Sequence, residues 1–424
     1  MKRLLKKIGL KALQTLGLQK EASGFYGLGI APKLMDILDK KGFVTPTPIQ
    51  EKSIRIATEG KDMVGIAQTG TGKTIAFAIP MLQRLAAGPG KGLVLLPTRE
   101  LAIQVAEVCR DFAPQLGMGV ACLIGGESKE GQLKDLFKKA RIIIGTPGRV
   151  YDHIERGTLK VHDARILVLD EADRMFDMGF APQINRIIRC LPTERQTMLF
   201  SATIPDEVMK LASHHMKLPI RIEVAKSGTA ATNVIQELYV VRSGSKPMLL
   251  MKLLEKYSGT VLIFVETRYD AAKVAMILEH MNHHVAEIHS DRTMGQRKDA
   301  MEGFKSGKYR ILVATDIAAR GIDVTGIEAV INYEMPAEDD AYVHRIGRTG
   351  RAGQPGRAIT FATPEQGGDV RSIETLTGIP MNQVTHPEVP AETLWGYDKA
   401  AGGRGWNQRS ARRPSGGGGR GRRR

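Results

Sequence analysis

The sequence predicts an α/β protein of two tandem domains, each a mainly parallel sheet flanked by helices. Short aliphatic and β-branched runs alternate with helical stretches from residue 60 onward, and this alternation stops once and restarts. The runs are continuously apolar, as in strands covered on both faces. A chain of 424 residues also exceeds what one hydrophobic core organises.

Residues 1–24 form an N-terminal extension. Its first twenty residues hold six Lys/Arg and no acid, and residues 2–20 read as a basic amphipathic helix. A solvated docked helix, a nucleic-acid or anionic-surface contact and a cleaved targeting peptide all fit that pattern. Residues 25–224 make the first domain, with strands over Met63–Ala67, Gly92–Leu96, Ile142–Gly145, Ile166–Asp170 and Thr197–Phe200. Residues 225–233, small and polar, read as a linker. Residues 234–380 make the second domain, with runs over Leu238–Val241, Val261–Val265, Val285–His289, Ile311–Ala314, Ala329–Asn332 and Ala358–Phe361. Residues 381–424 form a C-terminal extension. The part from 380 to 400, with Trp395 and Tyr397, is long enough to pack back on the second domain, and the Gly/Arg-rich remainder is expected to be disordered.

The net charge of +16 sits at the ends: residues 1–20 and 399–424 carry fifteen unopposed cations. The body is close to neutral, so its affinity for any polyanion must come from local patches. The C-terminal stretch reads as a phosphate tether or a solubilising tail. No apolar run is long enough for a membrane-spanning helix. Cys109, Cys122 and Cys190 are too few and scattered for a disulfide framework or zinc site, which favours a reduced, cytoplasmic setting.

Ala67-Gln-Thr-Gly-Thr-Gly-Lys-Thr74 follows a predicted strand and opens a helix. It fits the phosphate-binding P-loop except that Ala67 replaces the first glycine. Gly70 and Gly72 let backbone N–H groups close on phosphate oxygens, Lys73 brings a point charge, and Thr74 offers a hydroxyl to Mg2+. Asp170 and Glu171 end the run Ile166–Leu169. Asp170 is placed to hold Mg2+ through water, and Glu171 to polarise an attacking water.

With Asp170-Glu-Ala-Asp173 the chain resembles the DEAD-box ATP-dependent RNA helicases of helicase superfamily 2, bacterial members in particular. The resemblance covers about residues 25–365. It also rests on Gly42-Phe43, Pro46-Thr-Pro-Ile-Gln50, Pro97-Thr-Arg-Glu-Leu-Ala102, Gly125-Gly126, Thr146-Pro-Gly-Arg149, Ser201-Ala-Thr203, Leu262–Thr267, Gln296-Arg297, Ala314–Asp323 and His344–Arg351. It implies two RecA-like domains closing on ATP and Mg2+, with RNA held largely through its backbone. Phe25 is then expected to stack on adenine, or to be a core residue anchoring the N-terminal extension, and Gln50 to read the adenine edge. Gln68, Thr69, Gly70, Thr71, Gly72, Lys73 and Thr74 hold phosphates, and Asp323 meets the ribose. Arg348 and Arg351 become arginine fingers and His344 helps hold the water. Asp173, Ser201 and Thr203 couple hydrolysis to strand separation. Arg99, Gly126, Thr146, Arg149, Arg297 and Thr315 touch RNA. Ribosome assembly, RNA decay and cold adaptation, with their ribonucleoprotein partners, are all compatible. A DNA translocase and a non-catalytic RNA clamp are the competing readings. Ser290, where the family more often has glycine, is a departure.

Overall fold

The computed structural model describes residues 24–397, apart from 69, 139, 225–233, 320–323, 325 and 351–355. The expected N-terminal helix, linker and Gly/Arg-rich tail, and Thr69, Asp323 and Arg351, lie outside the described residues.

Two seven-stranded sheets organise the rest, and every pairing within them is parallel. The first contains β1 (Met63–Ile66), β2 (Lys91–Leu95), β3 (Gly119–Leu123), β4 (Ala140–Gly145), β5 (Ala164–Leu169), β6 (Gln196–Ser201) and β7 (Ile220–Glu223), in the order β3-β4-β2-β5-β6-β1-β7. The second contains β8 (Val234–Val240), β9 (Val261–Val265), β10 (Val285–Ile288), β11 (Ile311–Thr315), β12 (Ala329–Asn332), β13 (Gly356–Ala362) and β14 (Asn382–Gln383), in the order β10-β11-β9-β12-β13-β8-β14.

The continuous apolar runs are explained by what covers them. Alternate residues of one strand enter different cores: Val94, Ile142, Ile144, Ile166 and Val168 point to one side. Leu93, Leu95, Ile143, Leu167 and Leu169 point to the other. Each such burial contributes about 1.5–3 kcal/mol before the entropy of ordering is counted. Helices on both faces follow from this, because a parallel connection needs a crossover.

Three strands escaped the sequence reading: β3, β7 and β14, all at sheet edges. β7 and β14 are short and partly polar and show no unbroken apolar run, whereas β3 carries one, Val120–Ile124, that the sequence reading passed over. Ser201 also ends β6, where the sequence placed it just after the strand.

Residues 381–397 pack back on the second sheet, as expected. Met381 and Val389 are buried, the Trp395 N–H donates to Pro364 O at 2.7 Å, and the Tyr397 hydroxyl donates to the Glu374 carboxylate at 2.7 Å. The two halves meet through the loops at the carboxyl ends of their strands. Met294 of the second half packs on the core of the first, and the Arg297 guanidinium lies 2.8 Å from the Glu100 carboxylate.

Candidate active site and nucleic-acid interface

The P-loop runs from the end of β1 into the helix Lys73–Ala86. Gly70 and Gly72 have φ of +81° and +90°, the left-handed region that glycine enters without strain. Gly72 meets a second demand, since a Cβ there would collide with the Gln50 amide. The Thr71 hydroxyl donates to Gln68 O at 2.7 Å and closes the loop. Lys73 is buried. Its ammonium donates to Ala67 O at 3.0 Å and stands 4.0 Å from Asp170 Oδ1. Thr74 follows it on the first turn of the helix.

Gln50 sits against this loop because Thr47 and Gln50 form a capping box on the helix Pro48–Thr58. Its Oε1 accepts the Thr47 N–H at 2.9 Å and its Nε2 donates to Gly72 O at 3.0 Å. One amide N–H is left for a ligand. Phe25 takes the second of its two expected places: it is 1% exposed and meets Phe43 edge-on at 6.5 Å, as a core residue would. Stacking on a base would require that ring to be uncovered.

The acids follow β5. Burial pushes the Asp170 carboxyl up to about 6, with Lys73 pulling the other way. Its Oδ1 accepts the Glu171 N–H at 3.0 Å. Glu171 has φ of +52°, a strained conformation for a side chain of its size, costing about 1–3 kcal/mol. Its carboxylate is 2% exposed, and Oε2 has no hydrogen-bond donor. The nearest cation is Arg174, with Nε 3.6 Å away. Asp173 is bonded on all sides. Its Oδ2 accepts from Ala202 N at 3.1 Å, Thr203 N at 2.9 Å and Thr203 Oγ1 at 3.1 Å. Its Oδ1 accepts from Arg174 N at 3.0 Å, and its own N–H donates to Ser201 Oγ at 3.1 Å. The expected coupling residues are thus brought together.

The second half brings His344, on the helix Asp339–Ile346, and Arg348 just beyond it. The buried Arg348 donates through Nε to His344 O at 3.3 Å. Both line a cavity of about 10 Å³ with Arg174, Phe264, Asp316 and Arg345. Sequence reasoning assigned a role only to His344 and Arg348 in this group, and two of the others stand out. Arg345 grips Asp316 with two bonds of 2.6 Å, donates to Glu334 O at 2.6 Å and lies 5.1 Å over Phe264, so it anchors the helix that carries His344. Arg174 comes from the first half, and its Nε and Nη2 are buried without hydrogen-bond partners. Arg345 stood inside the quoted His344–Arg351 run and Arg174 directly after Asp173, but only the fold reveals that they face each other.

Four of the expected RNA contacts are gathered at one end of the first sheet. Arg99 opens the helix Arg99–Phe112 and lies along Gly125–Gly126, where a Cβ on Gly126 would strike its guanidinium. Thr146 caps the helix Pro147–Glu155 and its N–H bonds to Leu123 O at 3.1 Å. Arg149 donates to Glu127 O at 3.3 Å and Gln132 Oε1 at 3.1 Å. Arg297 differs from the expectation: its charge is engaged by Glu100, the neighbour of Arg99, across the seam. Thr315 ends β11 beside Asp316. Among the described residues, no cluster of three or more His, Cys, Asp or Glu is built to hold a metal by itself.

Paired parallel sheets, a P-loop on one and arginines of the other sharing a cavity with Arg174, the neighbour of its acids, define a two-domain P-loop nucleotide hydrolase. The DEAD/DEAH box helicase family model matches residues 47–211, and the helicase conserved C-terminal domain model matches 245–353. The chain belongs to the DEAD/DEAH box helicase family, and its two halves are RecA-like domains. It is 40% identical over 343 residues to the ATP-dependent rRNA helicase RRP3 of Debaryomyces hansenii, covering 80% of this chain and 72% of that one. It is 39% identical over 380 residues to the DEAD-box ATP-dependent RNA helicase CshA of Geobacillus kaustophilus, covering 89% and 81%. The S. cerevisiae Dbp5 structure bound to RNA and ADP BeF3 superposes with a TM-score of 0.79 at 31% identity, over 86% of this chain and 96% of that one. Dbp5 bound to Nup159, Gle1, IP6 and ADP reaches only 0.60 at 29% identity, over 85% and 96%. Of these two Dbp5 structures, the one bound to RNA and ADP BeF3 superposes better on this chain.

Proposed function

We propose that this chain is an ATP-dependent RNA helicase in which ATP and RNA jointly draw two domains, about residues 25–224 and 234–380, into the seam described above. One observation carries the reading: Arg174, beside the proposed catalytic acid Glu171, shares a small cavity with His344 and Arg348 of the other half.

ATP lies on the P-loop, with Gln50 at the adenine edge and Lys73 at the phosphates. Phe25 stacks on the base once its ring is uncovered, and Asp323 meets the ribose. Thr74 and Asp170 are suited to Mg2+ because Asp170 is a buried carboxyl with a single distant cation, a charge deficit that a hydrated metal would fill. When bound, Mg2+ neutralises phosphate charge. Glu171 orients the attacking water and takes up its proton at Oε2, the atom left without a donor. Arg348, with Arg351 beyond it, stabilises charge on the transferring phosphoryl group, and His344 holds the water. The Asp173–Ser201–Thr203 node carries the state of the acid loop to the end of β6. RNA lies along Arg99, Gly126, Thr146, Arg149 and Thr315, contacts of backbone type that read no base. Three unpaired cysteines among the described residues support a reducing, cytoplasmic setting.

The test is steady-state ATP turnover with and without single-stranded RNA. Turnover rises with RNA in the wild type, and Arg348→Ala lowers the stimulated rate about 10³-fold with little change in ATP affinity. Equal turnover with and without RNA refutes the coupling.

A further inference from the structure

The amino-terminal edge of the first sheet carries two cavities that the nucleotide and RNA sites do not use. They open on either side of one turn, residues 87–91, which leads into β2. The chemistry described above belongs to loops after the carboxyl ends of the strands. These cavities therefore lie a full strand length away, about 13–20 Å for four to six residues.

The first cavity, of about 620 Å³, is lined by Arg84, Arg165 and Arg195. None of the three has a carboxylate within ion-pair distance among the described residues, and the one acid on the wall, Glu194, is taken by Lys217. Two of the guanidiniums are pinned by main-chain carbonyls: Arg84 on Thr58 O at 3.4 Å, Arg195 on Pro192 O at 2.7 Å and His215 O at 3.3 Å. Their Nε atoms remain buried without a partner. Fixed forks of this kind suit a carboxylate better than mobile surface cations do.

The second cavity, of about 630 Å³, has an apolar floor of Leu136, Ile143 and Leu159. Phe137 stands at its rim, 78% exposed. Its cations are Lys91, Arg141 and Lys160, and its one acid, Asp163, is paired with Lys91 at 2.9 Å. Arg141 bonds to Gly88 O and Gly90 O, so the turn between the cavities is held by a residue of the second.

We infer that this edge is a docking groove for an acidic peptide segment of a partner protein, its carboxylates on the arginines of the first cavity and an apolar side chain in the second. Charge complementarity names the occupant: five cations without carboxylate partners face two acids that are already neutralised. An apolar floor one turn away gives the anchor that short peptide motifs need. RNA fits less well, since the floor is aliphatic and offers bases little to stack on.

The probe is a fluorescein-labelled decapeptide of glutamates with one central benzoylphenylalanine, added to the full chain. It measures affinity by anisotropy and position by photo-crosslinking. Arg165, Lys160 and Phe137 are exposed, so changing them leaves the fold intact, and RNA-stimulated ATP turnover stays at the wild-type value. Arg165→Glu with Lys160→Glu weakens the peptide about tenfold or more, Phe137→Ala weakens it several-fold, and crosslinks fall at 87–91, 136–143 and 157–165. Equal affinity in all variants, with crosslinks confined to the basic residues 399–424, overturns the inference. So does a decauridylate that displaces the peptide from the groove and is itself weakened by the charge reversal.

Discussion

Two carboxylates two residues apart, Glu171 and Asp173, are equally buried and treated in opposite ways. Asp173 collects donors from Ala202, Thr203 and Arg174, all within the first domain. Glu171 sits at a positive φ with one oxygen lacking a donor, facing an arginine that is itself incompletely partnered. A buried charge that is fully bonded holds a structure in place, whereas one left short costs free energy until something arrives. The first kind of site is permanent; the second, on the function proposed above, waits for nucleotide, water and the arginines of the other half.

The sharpest way to break this comparison is to neutralise each acid in turn. Glu171→Gln keeps the shape and removes the proton acceptor. RNA-stimulated turnover is expected to fall by about 10²–10⁴-fold, with a melting temperature close to wild type. Asp173→Asn puts two donors where donors already converge, and it should cost about 2–4 kcal/mol of stability to urea, with strand separation lost more severely than ATP binding. If the two variants swapped phenotypes, the division into permanent and waiting acids would be wrong.

Asp170 offers a pH test. Its carboxyl is raised from 3.8 to about 6 in the fold, with burial as the leading cause. Between those values the folded state holds a proton that the unfolded chain has lost. Stability of the nucleotide-free protein therefore declines as pH rises from about 4 through about 6, then levels off. The decline from this group is at most about 3 kcal/mol, because a tenfold change in proton affinity is worth about 1.4 kcal/mol. Asp170→Asn removes it, so the wild-type minus variant difference in urea midpoint should rise with acidification. A pH-independent difference would show that Lys73 already neutralises the site.

The same contrast explains what the sequence could and could not reveal. Central strands were legible because burial on two faces demands an unbroken apolar run, as in Ile166–Leu169. The edges β7 and β14 were not, because partial exposure relaxes that demand, and β3 was passed over despite its apolar run Val120–Ile124. The P-loop and the acids after β5 were legible because both depend on local spacing at the end of one strand. Arg174 and Arg345 were not, for they line one cavity from different halves and Arg345 reaches back to Asp316 and Glu334, which no local pattern encodes. Arg297 was legible as a functional arginine but not in its role, since its partner Glu100 lies in the other domain.

That ion pair sharpens the comparison most gently. It lies at the seam, like Glu171 and Arg174, yet it is satisfied: the two side chains are 13% and 16% exposed and 2.8 Å apart. A satisfied pair at a seam should stabilise closure without entering the chemistry. Arg297→Ala and Glu100→Ala should each weaken RNA-dependent closure, read as fluorescence transfer between dyes on the two domains, by a few-fold in apparent ATP-analogue affinity. The double variant should be little worse than either single one, with a coupling energy of about 1–2 kcal/mol for a half-buried pair. Additive losses would mean that the two residues act separately, with Arg297 on the RNA backbone as first expected. Because the pair exists only when the halves meet, the unfolding midpoint of the nucleotide-free, RNA-free protein should hardly move. A large shift there would place the contact in the resting state and make it a structural tie.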